Sequence, residues 1–182
     1  MVIDMGGGTS DIAILSLGDI VSSQSIRMAG DKMNSDIASY IKNNHGLVIG
    51  EHTAEKIKME LGTALRVDDP ETMDVRGRDV ATGMPKQITV NENEIEEALH
   101  DTLEQIVSAA VNVLETIPPE LASDIIDRGI MLTGGTSLLK GVDQLFSARL
   151  KVPVVVSQDP LDNVAKGAGE MLERMQKTER KK

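Results

Sequence analysis

The chain has 182 residues, 40% apolar and 26% charged, enough for one α/β domain or two small ones. Zero cysteines exclude a disulfide framework and a zinc–thiolate centre, and a net charge of −10 argues against general nucleic-acid binding. No apolar run approaches the roughly 20 residues that span a bilayer, so a cytoplasmic protein is expected.

Residues 2–5, 9–16 and 20–27 read as three strands, with Leu17-Gly18-Asp19 joining the last two. Between the first two lie three consecutive glycines, Gly6, Gly7 and Gly8, followed by Thr9 and Ser10. Bare glycines turn sharply and offer backbone N–H groups that no Cβ shields. With two hydroxyls and the carboxylate of Asp4 at the rim, the stretch suits a triphosphate tail with a divalent cation. It is neither a Walker loop nor a dinucleotide fingerprint, because a strand follows the glycines and not a helix.

Asp31 is positioned to cap a helix whose apolar face holds Met33, Ile37, Ala38 and Ile41, closed by Asn43-Asn44-His45-Gly46. A second helix is expected over 52–62, with Ala54, Ile57 and Leu61 facing inward. Residues 66–90 carry turn signals at Asp68-Asp69-Pro70, Arg76-Gly77-Arg78-Asp79 and Gly83-Met84-Pro85, between short strand candidates. Asn91 and Asn93 offer caps for the longest helix, about 94–116, which keeps helical apolar spacing from Ile95 to Leu114 until Pro118-Pro119 stops it. A short strand over 129–133 then leads into Gly134-Gly135-Thr136-Ser137 and a helix carrying Leu138, Leu139, Val142, Leu145 and Phe146. Val154-Val155-Val156 is a buried-strand candidate, and a last helix follows Asp159-Pro160. The pattern implies a core of residues 1–31 and 92–175, an insert of 32–91 and a basic tail at 176–182.

Two further elements carry chemistry. Gly134-Gly135-Thr136-Ser137 lies where a strand passes into a helix, the edge at which open α/β sheets bind ligands. Glu55 and Lys58 share a helix face distinct from Ala54, Ile57 and Leu61; by spacing alone they are an ordinary solvated pair. The three histidines, His45, His52 and His100, show no ligand spacing, and no G-x-S-x-G motif surrounds a serine.

The Asp4-Met-Gly-Gly-Gly-Thr-Ser-Asp11 stretch resembles the second phosphate motif of the actin, sugar kinase and heat-shock chaperone ATPase superfamily. The Gly129-Ile-Met-Leu-Thr-Gly-Gly-Thr-Ser137 stretch resembles its adenosine motif. Ser25-Ile-Arg-Met-Ala-Gly-Asp31, the segment 49–62, Thr82-Gly-Met-Pro-Lys86 and the segment 118–130 are similar to the bacterial actin family of MreB and Mbl. The resemblance runs from residue 2 to about 172 and implies an actin-like (ribonuclease H-like) α/β lobe, a mixed sheet with flanking helices and a smaller α+β insert. It implies that Gly6, Gly7, Gly8 and Thr9 contact the β- and γ-phosphates of ATP, with Asp4 beside Mg²⁺ or its waters. Glu55, Lys56, Ile57 and Lys58 would line the ribose and adenine, and Gly134, Gly135, Thr136 and Ser137 would receive the adenosine.

The family's first phosphate motif, catalytic carboxylate and membrane-contacting loop belong to a half that has no counterpart in this chain. No catalytic residue is therefore assigned, and no turnover is expected from the chain alone. For the whole family the resemblance implies a cell-shape cytoskeleton. Its members self-associate into filaments, act with the cell-wall elongation machinery and lie at the inner membrane. The competing readings are an interaction module without nucleotide, and a division protein of the FtsA type.

Overall fold

The computed structural model describes residues 1–179, with side chains through 177. In chain order the strands are β1 (Val2–Met5), β2 (Ser10–Ser16), β3 (Asp19–Ile26), β4 (Leu47–Val48), β5 (Thr72–Asp79), β6 (Pro85–Asn91), β7 (Ile130–Thr133) and β8 (Val154–Val156). The helices are α1 (Gly30–His45), α2 (Glu51–Leu61), α3 (Glu92–Glu115), α4 (Pro119–Arg128), α5 (Val142–Leu150) and α6 (Asn163–Glu179), with a 3-10 turn at Gly135–Leu138.

Five strands form one mixed sheet in the order β3-β2-β1-β7-β8; the first two pairings are antiparallel and the last two parallel. The parallel β1–β7 pair brings the two glycine-rich loops to one edge, because both strands end there: Asp4 pairs with Thr133. A second, antiparallel sheet runs β4-β5-β6. This is the α/β architecture, a mixed sheet with flanking helices, that the family resemblance implied.

Helix α3 ties the molecule together. Its Ile95, Leu99, Leu103, Ile106, Val107, Ala110 and Val113 are all buried at helical spacing, against β2, β3, α1 and α5. A capping box starts it: Asn91 accepts from the Glu94 backbone while the Glu94 carboxylate accepts from the Asn91 backbone. Asn93 does not cap; it bridges to the Val67 backbone in both directions.

Several local expectations are corrected by packing. Asp31 lies inside α1, whose N-cap is Ala29 with no side-chain cap. Arg76-Gly77-Arg78-Asp79 is not a turn but the interior and end of β5, and Gly77 is required because a Cβ there would collide with the Val48 carbonyl of β4. Pro119 does not only end α3; it opens α4, where its missing N–H costs nothing. No α-helix begins at Thr136, since the chain makes a 3-10 turn, breaks at Gly141 (φ 71°) and only then enters α5. Leu138 is accordingly 58% exposed. β8 is an edge strand with Val155 outward. Residues 176–179 continue α6, while Arg180, Lys181 and Lys182 of the expected basic tail lie outside the described residues.

Candidate functional site

The β1–β2 hairpin holds the glycine triplet at its tip, closed by the Gly6 N–H donating to the Thr9 carbonyl at 3.0 Å. Gly6, Gly7 and Gly8 all lie outside the left-handed region, so backbone conformation alone does not demand glycine here. What their lack of side chains provides is access: Gly7, Gly8 and Thr9 are exposed. Both hydroxyls have partners within the chain. Thr9 donates to Asp11 Oδ2 at 3.0 Å, and Ser10, fully buried, donates to the Met28 carbonyl at 2.5 Å.

Helix α1 starts against this loop. The Gly30 N–H donates to the Gly6 carbonyl at 3.1 Å and the Asp31 N–H to the Gly7 carbonyl at 2.8 Å. The Asp31 carboxylate stands beside the triplet, 3.6 Å from where a Cβ of Gly7 would be. Helix α2 reaches the same point through Lys58, whose Nζ donates to the Gly30 carbonyl at 3.0 Å. Burial lowers the Lys58 ammonium below the ordinary lysine value, against the opposing charges of Glu55 and Asp31.

The second glycine loop closes the cluster. Gly134, at φ 81°, sits flush on the end of β1; a Cβ there would collide with the Met5 carbonyl and stand 2.5 Å from Asp4 Oδ1. Thr136 Oγ1 donates to the Gly6 carbonyl at 3.0 Å. Ser137 Oγ is spent inside its own loop on the Gly134 carbonyl at 2.7 Å. The end of α2 is stitched to the same segment by Ala64 N–H to Lys140 O at 2.8 Å and Lys140 N–H to Gly62 O at 3.2 Å.

The fold therefore gathers Gly6–Gly8, Lys58, Glu55 and the 134–137 loop at one edge of the large sheet. Two of the expected lining residues sit apart: Ile57 is fully buried in the core, and Lys56 faces Glu60 at 3.7 Å in solvent. Gly30, Asp31 and Asp11 also belong to the edge. From sequence Asp31 reads only as a helix cap, and Gly30 only as part of the 25–31 segment that carries the family resemblance. Asp4 is partly exposed and faces Asp11 across the β1–β2 pair. Burial, and secondarily the charge of Asp11, hold its carboxyl above the ordinary carboxylate value. A cavity of about 430 Å³ lined by Asp143, Gln144, Ser147, Ala148 and Val154 includes none of these residues.

A family model described as MreB/Mbl protein matches residues 1–180. The chain belongs to the MreB/Mbl family. The match decides between the two family readings above and removes the FtsA type. This MreB/Mbl chain is 53% identical over 182 residues to the cell shape-determining protein Mbl of Bacillus subtilis (strain 168), covering all of the chain and 55% of that protein. It is 49% identical over 173 residues to the cell shape-determining protein MreB of Escherichia coli (strain K12), covering 95% of the chain and 50% of that protein. The chain thus spans about half the length of the curated relatives it matches. Among solved structures it is similar to MreB 5 of Spiroplasma citri bound to AMPPNP, with TM-score 0.95, 35% identity, and coverage of 99% of the chain and 54% of that one. The MamK double helical filament shares the actin-like fold at TM-score 0.77 and 19% identity over 94% of the chain and 53% of that one.

Proposed function

We propose that this chain is the nucleotide-holding lobe of an actin-like, cell shape-determining cytoskeletal protein. In that reading residues 1–31 and 92–175 are its core and 32–91 an inserted subdomain. The observation that carries the nucleotide reading is the convergence on the Gly6 carbonyl of Gly30 and Thr136, with Lys58 bound to Gly30 behind them. Four segments far apart in sequence build one edge with exposed glycine backbone. That edge suits a flat, polyanionic ligand better than an apolar one. ATP fits it with phosphates over Gly6, Gly7 and Gly8, ribose toward Glu55 and Lys58, and adenine against Gly134 and Gly135. The AMPPNP and ADP complexes of MreB 5, at 35% identity, support this assignment.

The carboxylate pair suits Mg²⁺: burial first and the facing Asp11 second make Asp4 resist ionisation, and a divalent cation beside it would favour its charged form. Bound there, such an ion would neutralise phosphate charge. Asp4 would orient it or its waters, Thr9 is held by Asp11, and the Gly7 and Gly8 N–H groups would bind phosphate oxygens, the Gly6 N–H being spent on the Thr9 carbonyl. These groups reach the phosphates from one side, and in-line hydrolysis needs charge stabilisation from more than one. Nucleotide-dependent self-association into filaments, action with the cell-wall elongation machinery and membrane association follow as properties of the whole protein.

A domain exchange tests the function. The matching stretch of Bacillus subtilis Mbl is replaced by this chain, and ATP binding, pelleting of filaments and cell shape are measured. Restored rod shape is the expected result. A folded, expressed exchange protein that binds no ATP and restores nothing overturns the reading.

A further inference from the structure

We propose that Thr136 is a bolt between the phosphate loop and the adenosine loop, a positioning residue and not a nucleotide contact; this rests on the nucleotide reading above. Its side chain is 4% exposed, and its hydroxyl proton is committed to the Gly6 carbonyl at 3.0 Å, across 130 residues of sequence. That carbonyl also accepts the Gly30 N–H at 3.1 Å, so both of its lone pairs are filled from within the protein. Gly30 in turn holds Lys58 Nζ on its own carbonyl at 3.0 Å. The junction has no slack. A Cβ on Gly30 would stand 3.2 Å from Lys58 Nζ, 3.3 Å from the Gly6 oxygen and 3.4 Å from Thr136 Oγ1.

A hydroxyl spent in this way has no proton for a ligand. Together with the β1–β7 pairing and the seating of Gly134 on the end of β1, it sets the separation of the two loops at this edge. A ligand spanning both loops behaves as two linked ligands, and its affinity depends on how firmly their spacing is held. A ligand that uses only one loop is indifferent to that spacing. Thr136 therefore discriminates between nucleotides and nucleosides without touching either.

The test uses the described chain, its Thr136→Val variant (same shape, no hydroxyl), Thr136→Ala as a second hydroxyl-free variant, and Thr136→Ser, which keeps the donor. NMR follows the Gly6 carbonyl resonance and amide exchange over 6–9 and 30–31 without ligand, then titrations with Mg-ADP and with adenosine. In the Val and Ala variants the Gly6 carbonyl moves upfield, the loop amides exchange faster, and Mg-ADP binds about five- to tenfold more weakly. Adenosine binding stays within about twofold, and Thr136→Ser restores Mg-ADP affinity. Equal weakening of adenosine would mean direct contact with the ligand and would overturn the proposal. So would an unchanged Gly6 carbonyl and unchanged loop exchange in either hydroxyl-free variant. A wild-type chain blind to Mg-ADP would leave the nucleotide reading to be decided by the Mbl exchange protein, and the ligand-free measurements would then decide the bolt by themselves.

Discussion

Asp4 and Asp11 lie opposite one another across the first antiparallel strand pair, Asp4 with its carboxylate against Gly134 and Asp11 with its own accepting from Thr9. Burial first, and the Asp11 charge second, keep Asp4 protonated to higher pH than an ordinary aspartate. A folded-state value above the unfolded one means the folded chain binds the proton more tightly. Stability from this group is therefore complete below the unfolded value of 3.8 and is lost as pH rises through the folded value. Asp4→Asn is expected to raise the thermal midpoint at pH 7 in metal-free buffer. Asp11→Asn moves the Asp4 titration, read by carboxyl carbon NMR, only part of the way down, because burial remains. A lowered midpoint in Asp4→Asn contradicts the repulsion.

The glycine triplet and Gly134 are expected to respond oppositely to substitution. Gly7 has φ outside the left-handed region, and a Cβ there meets only the Asp31 carboxylate at ordinary contact, 3.6 and 3.9 Å. Gly7→Val in the Mbl exchange protein should fold with an unchanged midpoint and lose ATP binding, since a branched side chain covers the exposed backbone. Glu120→Gln, on exposed α4, serves as the control and binds normally. Retained ATP affinity in Gly7→Val would favour the interaction module without nucleotide.

Gly134→Ala, by contrast, is a folding lesion. It places a Cβ at positive φ and into the Met5 carbonyl at the end of β1. The conformational strain alone costs about 1–3 kcal/mol, and the clash adds to it. Urea unfolding should show the lower midpoint; a neutral outcome would mean that β1 and the 134–137 loop are not packed as described.

The described chain alone should bind Mg-ATP weakly and hydrolyse none of it. Gly7, Gly8, Thr9, Glu55 and Gly135 are exposed on the ligand side, so contacts come from one wall. Each absent charge-assisted hydrogen bond removes roughly 1.5–3 kcal/mol, and two or three raise Kd by several orders of magnitude. A micromolar constant by calorimetry, or phosphate release abolished by Asp4→Ala, would contradict this.

Lys140 anchors the start of α3 to the loop after the 3-10 turn, donating to Glu92 at 2.5 Å and Glu71 at 2.9 Å. The hydrogen bond from Lys140 is the main cause that holds the buried Glu92 carboxyl below its ordinary value of 4.5. This stabilisation is present above pH 4.5 and disappears as pH falls through the folded-state value. Lys140→Met should cost about 1–2 kcal/mol at pH 7, a figure reduced because Lys140 is half-exposed, and should flatten the acid limb of the stability profile. An acid limb as steep as that of the wild type would show that Glu92 is held by other groups.

Local chemistry determined much of this protein in advance. Three glycines between two alternating apolar runs specify a hairpin with an open tip. Asn91 three residues before Glu94, followed by apolar spacing to Val113, specifies a capped amphipathic helix. Gly134-Gly135 after a short apolar run marks a loop at a strand end. Tertiary structure alone decided the partners. Gly77 reads locally as a turn, yet it is the one residue type that lets β4 approach β5. Asp31 reads as a cap, yet its N–H is used by Gly7, 24 positions earlier. Ser10 reads as a donor for a ligand, yet it is buried, as are Thr136 and Ser137, and all three give their protons to backbone carbonyls. A hydroxyl's type and spacing do not reveal which acceptor will fill its single proton. For Ser10 and Thr136 that acceptor lies 18 and 130 residues away, and only the folded chain brings it within reach.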